Sequence, residues 1–282
     1  MRLATIRTGD GTHAVRVDGE TLVELDARDV GDLLRAGSAV GKLEGVPTGV
    51  EHDIATAEFA PVVVNPGKII CLGLNYEDHI LEMGRGLPTH PTLFAKYTEA
   101  LIGAHDQIVL PRVSDAVDWE VELALVIGHA VRHATADVAA AAIAGFTVAN
   151  DISMRDWQNR TIQFLQGKTF EHATPVGPWL VSPDEVGGVQ PDLEVRCEVD
   201  GVVRQHSRTA KLVFTPVDVV RYMSEIITLQ PGDLILTGTP GGVGHAMDPP
   251  VYLQPGEVVR TTIEGIGELV NECVAETATA AA

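Results

Sequence analysis

The chain has 282 residues, 45% of them hydrophobic and 5% aromatic, which is enough apolar mass for one large domain or two unequal ones. Twenty Lys and Arg against 39 Asp and Glu leave a formal charge of −19. That balance disfavours nucleic acid and anionic membrane as partners, since both are held by Lys and Arg, and an anionic substrate would need a local positive centre such as a metal ion.

Residues 2–25 read as short strands around the turns Gly9-Asp10-Gly11 and Asp18-Gly19. A short helix is expected over 30–35, then irregular chain to Pro61. The break between Pro61 and Pro66 predicts a small N-terminal domain over 1–62 and a larger one over 63–274. The tail, 275–282, has no periodic pattern and is expected to be disordered. The larger part is strand-rich with few helices, which gives an α+β, β-rich class. Thr135 and Asp137 start an alanine-rich helix to about 144. Thr215-Pro216-Val217-Asp218 starts another that runs to about 227. Asp200-Gly201 marks a hairpin. Cys71, Cys197 and Cys273 have no metal-type spacing, and their odd number fits a reducing compartment. No signal-peptide core and no span-length apolar run is seen, so the expectation is a cytoplasmic protein.

The first chemically suggestive segment is Gly73-Leu74-Asn75-Tyr76-Glu77-Asp78-His79-Ile80-Leu81-Glu82-Met83-Gly84, directly after a buried strand. On a helix His79 and Glu82 are neighbours. A carboxylate beside an imidazole orients it and favours its protonated form, which suits a base taking a proton from water. Glycines at 73, 84 and 86 would let the segment move as a lid; an ordinary surface His–Glu pair accounts for the same residues.

Next comes Asp118-Trp119-Glu120-Val121-Glu122-Leu123-Ala124-Leu125-Val126-Ile127. Side chains alternate along a strand, so Glu120 and Glu122 share a face while Val121, Leu123, Leu125 and Ile127 share the other. A solvated face has the same pattern, but this one continues as Ala124 and Val126. Two like charges on so apolar a segment resist burial, and a divalent cation is the economical neutraliser. Asp151, after the apolar run 144–149, adds a third carboxylate. Three such oxygens suit a hard ion, Mg²⁺, Mn²⁺ or Ca²⁺.

Downstream, Arg155 and Gln158 are i, i+3 neighbours that could reach a ligand, with a pair between Arg155 and Asp156 or another acid in a structural network as the alternative. Lys168 lies between Gly167 and Thr169, where it could stabilise an oxyanion or enolate or simply face solvent. The glycine-rich loop in Leu236-Thr237-Gly238-Thr239-Pro240-Gly241-Gly242-Val243-Gly244 could hold a carboxylate with its N–H groups and the Thr239 hydroxyl. It matches neither a phosphate loop nor the dinucleotide spacing, and a tight turn explains it equally.

In this order, Gly73-Leu74-Asn75-Tyr76…His79…Glu82-Met83-Gly84, Glu120-x-Glu122, Asn150-Asp151…Arg155-Asp156…Gln158, Gly167-Lys168-Thr169-Phe170 and Thr237-Gly238-Thr239-Pro240…Gly242-Val243-Gly244 resemble the fumarylacetoacetate hydrolase family, of the bacterial acylpyruvate/fumarylpyruvate hydrolase-like kind. The resemblance covers about residues 66–274. It implies that Glu120, Glu122 and Asp151 hold Mg²⁺ or Mn²⁺, that His79 with Glu82 activates water, and that Lys168 supports the reacting oxygen. By the same resemblance Arg155, Gln158 and Thr239 line the substrate site, with Arg85 a handle for a distal carboxylate or hydroxyl unless it is a surface arginine. The fold implied is a mixed β-sandwich roll, as a homodimer, with a small N-terminal domain. Thr169 and Glu171 depart from the family's Ser and Asp, and Met154 stands where a small residue is usual, which bears on the substrate more than on the metal.

The reaction implied is metal-dependent hydrolysis of a C–C bond in a small 1,3-dicarbonyl acid of the acylpyruvate or fumarylpyruvate type, as in aromatic catabolism. The family also contains oxaloacetate-type decarboxylases and 2-oxo-alkenedioate isomerases and hydratases, which use the same metal-enolate site. A binding module that keeps its carboxylate cage for stability alone is the non-enzymatic rival.

Overall fold

The computed structural model describes residues 1–37, 45–82 and 86–277, with His79 described by its backbone alone. The chain is α+β and rich in strands, arranged as mixed sheets. The main sheet runs from one edge through Pro47–Asp53, Thr21–Leu25, Gly11–Asp18, Arg2–Thr8, Thr174–Val181, Ile143–Asn150, Val121–Ile127, Leu234–Leu236 and Ile69–Gly73 to Thr92–Lys96. Most neighbours are antiparallel, but Leu234–Leu236 and Ile69–Gly73 run parallel. A second sheet has the order Val202–Arg208, Glu194–Val199, Val258–Ile263, Gly267–Ala275, Ile108–Leu110.

The expected turns at Gly9-Asp10-Gly11 and Asp18-Gly19 join the first three strands, and the segment 1–62 contributes its strands to the main sheet itself, through Arg2–Thr8 against Thr174–Val181. The stretch expected to be irregular before Pro61 contains the strand Pro47–Asp53, paired with Thr21–Leu25. Its residues are almost all exposed at the sheet's edge, so it has no apolar alternation to give it away.

Strand Val121–Ile127 is buried on both faces, which explains its continuous greasy sequence. Val121, Leu123, Leu125 and Ile127 pack in one core with Val195, Cys197, Val259 and Leu269 of the second sheet. Ala124 and Val126 pack in another with Leu3, Leu33, Leu34, Leu234 and Leu236. Residues of alternate parity thus serve two different cores, and a register slip would exchange them.

The helices begin where their caps dictate. Asp29 accepts the Asp32 N–H at 2.5 Å to open Val30–Arg35. Thr215 and Asp218 form a reciprocal capping box for Pro216–Ile226, with Pro216 in the first turn, where its missing N–H costs nothing. Ala136–Ala142, capped by Thr135, feeds straight into strand Ile143–Asn150. Among the described residues no helix is long and apolar enough to cross a membrane. All three cysteines are buried and free.

Candidate active site

Antiparallel pairing places Val121 opposite Asn150, so the residues just before one strand and just after its neighbour meet at one end of the sheet. Glu120 and Glu122 arrive from the first strand and Asp151 from the second. The Asp151 N–H donates to the Glu120 carbonyl at 2.9 Å, and the Asn150 side chain accepts the Glu120 N–H at 2.8 Å. One oxygen from each of Glu120, Glu122 and Asp151 lies within 4.8 Å of the others, and all three residues are buried.

Three cations enter the cluster. Lys168 Nζ reaches Glu120 Oε2 at 2.6 Å and Asp151 Oδ2 at 2.9 Å. Lys96 Nζ contacts the other Asp151 oxygen. Arg155 Nη1 meets Glu120 Oε1 at 2.7 Å, and its Nε meets Asp118 Oδ2 at 2.8 Å. Burial alone would lower the Lys168 pKa, but the Asp151 and Glu120 charges outweigh it, and the ammonium is held charged.

Glu122 is treated differently. Its Oε2 accepts the Gly238 N–H at 2.6 Å, while its Oε1 is buried without a partner. Among the described residues no side-chain cation pairs with it. Burial, then Asp151 and Glu120, push its carboxyl well above the usual range. A buried carboxylate oxygen without a donor is costly, and a hard divalent cation at the shared centre would remove that cost. The donor set therefore fits Mg²⁺, Mn²⁺ or Ca²⁺. The Tyr76 hydroxyl, also buried without a partner, lies close enough to Glu122 for that charge to add to burial in raising the phenol pKa.

Glu120, Lys168 and Arg155 of this cluster line a cleft of about 680 Å³, mouth included, together with Gln158, Thr239 and His245, and with Leu72, Phe94, Phe164 and Val243 among its apolar walls. Lys168 is carried on the short helix Leu165–Lys168 and is buried, so solvent is not its environment. Gly167 makes this possible: a Cβ there would stand 2.4 Å from the Gln158 backbone nitrogen, so only glycine lets this helix lie against Arg155–Gln158.

Arg155 pairs with Asp118 and Glu120 and bonds Gln158 Oε1 at 2.9 Å, whereas Asp156 instead accepts from Ser114 Oγ at 2.5 Å. Thr239 Oγ1 accepts from Gln205 Nε2 at 2.8 Å. The glycine-rich loop does hold carboxylates, but the protein's own: the N–H groups of Gly238, Gly242 and Gly244 donate to Glu122, Glu82 and Asp118. Glu82 closes the helix Glu77–Glu82, on whose backbone His79 lies three residues earlier. Arg85 lies outside the described residues.

Several residues at the site gave no signal in the sequence. Lys96 ends an ordinary strand, Thr92–Lys96. Gln205, on the second sheet, accepts the Val121 N–H at 2.9 Å and donates to Thr239 and Pro240, bracing the acidic strand against the loop. Asp118 stood in the acidic segment, yet its role as a four-bond anchor needed the fold: it accepts from Trp119, Gly244, His245 and Arg155.

Residues 68–274 match a family model described as "Fumarylacetoacetate (FAA) hydrolase C-terminal". The chain is 44% identical over 217 residues to oxaloacetate tautomerase Fahd2a, mitochondrial, of Rattus norvegicus, covering 77% of this chain and 69% of that protein. Among solved structures it is similar to 5-carboxymethyl-2-hydroxymuconate delta-isomerase from Mycobacterium smegmatis, with 35% identity, a TM-score of 0.81 and coverage of 98% and 100% of the two chains. It is likewise similar to the fumarylacetoacetate hydrolase of Exiguobacterium antarcticum, with 30% identity, a TM-score of 0.86 and coverage of 98% and 100%.

Proposed function

The chain belongs to the fumarylacetoacetate hydrolase family, and on that premise we propose that it is a divalent-metal-dependent enzyme acting on a small 2-oxo acid through its enolate. The observation that carries this reading is the convergence of Glu120, Glu122 and Asp151, with one Glu122 oxygen unpartnered, beside a buried and charged Lys168. When bound, Mg²⁺ or Mn²⁺ supplies positive charge to the oxygens of a 2-oxo acid and so stabilises negative charge that develops there.

The remaining chemistry is assigned to the chain's own groups. Lys168, already protonated, offers a fixed ammonium to the oxygen on which enolate charge appears. Its bonds to Glu120 and Asp151 hold it in place before substrate arrives, so no reorganisation is needed during the reaction. Arg155, Gln158 and Thr239 bind and orient the acid along the cleft wall. His79, three residues before Glu82, takes and returns the proton. The apolar walls exclude water, which strengthens each of these interactions.

Keto–enol interconversion of a 2-oxo acid such as oxaloacetate is the first form of this reading, supported by the 44% identity to an oxaloacetate tautomerase. Hydrolysis of an acylpyruvate-type C–C bond is the second. It is favoured by Glu82, which the Gly242 N–H fixes at the end of the helix that carries His79 and which can orient a water-activating imidazole. The same reading includes a homodimer in a reducing cytoplasm, checked by light scattering and fractionation.

Purified protein is assayed for oxaloacetate tautomerisation and for acylpyruvate hydrolysis, with Mg²⁺ or Mn²⁺ and then with chelator. Metal-dependent turnover of either substrate supports the proposal and separates its two forms. Turnover of neither, or turnover indifferent to chelation, overturns it.

A further inference from the structure

We propose that His245, braced by Tyr252, is a specificity-determining residue that donates a hydrogen bond to the distal carboxylate of a short dicarboxylic 2-oxo acid, beside Arg155. The proposal rests on the enolate reading and names the substrate class for that same cleft.

One buried carboxylate sets the two donors side by side. Asp118 Oδ2 accepts the Arg155 Nε–H at 2.8 Å and the His245 backbone N–H at 3.0 Å, while its Oδ1 accepts the Gly244 N–H at 2.7 Å. The guanidinium and the backbone that carries the imidazole are thereby fixed to a common anchor, and both residues line the cleft. Gly244 is obligatory in this arrangement, since a Cβ would stand 2.0 Å from the Val251 carbonyl oxygen and 2.9 Å from Asp118.

Arg155 has a donor to spare. Its Nε and Nη1 are used by Asp118, Glu120 and Gln158, but Nη2 is buried without a partner. A buried guanidinium N–H lacks only an acceptor, and an anionic oxygen is the strongest one available.

His245 is prepared to act as a second donor. Its Nδ1 lies 2.9 Å from the Tyr252 hydroxyl. Burial and then the Arg155 charge lower the imidazole pKa, with Asp118 opposing, so the ring is neutral at neutral pH. Burial, with Asp118 and Asp156, raises the Tyr252 pKa against Arg155, so the phenol keeps its proton, and the proposal assigns that proton to the contact with Nδ1. The ring hydrogen then sits on Nε2, the nitrogen free to meet a ligand.

Length follows from the same contacts. Arg155 Nη1 touches the metal-side residue Glu120, and Nη2 of the same guanidinium is the open donor. A second carboxylate that meets the same guanidinium as the acidic centre belongs to a short diacid rather than to a long acyl chain.

The test uses full-length, metal-loaded wild type, His245→Phe and Tyr252→Phe. Kinetics compare oxaloacetate with acetylpyruvate, which lacks the second carboxylate; calorimetry compares malate with oxalate, which occupies the cation end alone. In His245→Phe the preference for oxaloacetate over acetylpyruvate, and for malate over oxalate, is expected to fall about tenfold or more, as for loss of a bond to a charged group. Tyr252→Phe lowers both ratios by a smaller factor, and it decides the matter if the histidine variant does not fold. Ratios that stay level overturn the proposal. So does a wild type that binds oxalate and turns over acetylpyruvate but ignores oxaloacetate and malate, which leaves the enolate reading standing. A wild type that accepts none of the four overturns both.

Discussion

Gly238 donates its N–H to Glu122 Oε2 at 2.6 Å, and the other oxygen of that carboxylate is buried with no partner. Of the three clustered acids, Glu120 and Asp151 are met by Lys96, Arg155 and Lys168, so the charge left uncompensated falls on Glu122. A bound divalent cation should stabilise the fold, by about 2.7 kcal/mol at a hundredfold excess over Kd. Glu122→Gln should lose most of this gain. The Glu122 pKa is raised in the fold, so in metal-free protein its contribution is complete below the unfolded value and is lost as pH rises through the folded one. Melting curves of metal-free wild type should accordingly fall with rising pH more steeply than those of Glu122→Gln. Parallel curves with equal metal shifts would remove Glu122 from the cation site.

Lys168 separates metal binding from catalysis. Lys168→Met removes a buried cation from between Glu120 and Asp151, so the metal-free protein should lose about 3–5 kcal/mol, the usual result of breaking a buried ion pair. The site becomes more negative, so metal affinity should hold or rise, while turnover should drop about a hundredfold or more with loss of the oxyanion donor. Denaturant titration, metal titration and kinetics on one preparation check all three. Metal affinity that collapses together with turnover would make Lys168 a structural strut instead.

Gly167 offers a steric test of the same lysine. An alanine Cβ would lie 2.4 Å from Gln158 N and 2.5 Å from its Cα, so Leu165–Lys168 must move off Arg155–Gln158. Overpacking of this kind costs about 1–3 kcal/mol, and turnover should fall further than stability because Lys168 moves with its helix. Gly9→Ala, with nothing within 4 Å of the added carbon, is the neutral control.

The sequence made the clustered acids legible because period-two alternation is a local property: Glu120 and Glu122 can be placed on one face without knowing the fold. The Thr215 capping box and the Asp18-Gly19 turn are local in the same sense. Lys96 could not be found in this way, since it meets Asp151 across 55 residues of chain. Gln205 meets Val121 across 84, and the Asp118 anchor binds Gly244 across 126. Nothing in Thr92–Lys96 or Val202–Arg208 marks them as partners of an acidic strand. The glycine-rich loop was legible as a binder of carboxylates, but only the fold identified those carboxylates as Glu82, Asp118 and Glu122.

Gln205 should be more sensitive than a polar residue on a strand usually is. Gln205→Leu would leave the Val121 N–H and the Pro240 carbonyl without their bonds, at about 1–3 kcal/mol for each buried group. Gln205→Glu keeps the acceptor for Val121 but loses the donor to Thr239 and Pro240, so it should lie between Leu and wild type in unfolding free energy. Equal stability for all three proteins would show that water replaces these bonds.

His245 gives a stability signature on the acid side. Burial and Arg155 lower its pKa from the usual 6.5, and Asp118 acts against them. A histidine held neutral in the fold contributes stability that is complete above the unfolded value and is lost as pH falls through the folded one, because the unfolded chain takes up the proton first. His245→Gln cannot be protonated, so it escapes this loss. Between about pH 7.5 and pH 5.5 the melting temperature of wild type should therefore decline relative to His245→Gln, and the gap should narrow, though burial of the ring keeps it open, if Arg155 is also replaced by Met. Every group other than residue 245 is common to the two proteins, which is why the comparison, and not the wild-type curve alone, is decisive. A difference that is flat across this range would place the imidazole in ordinary solvent, and Arg155 would then no longer be its neighbour in any energetic sense.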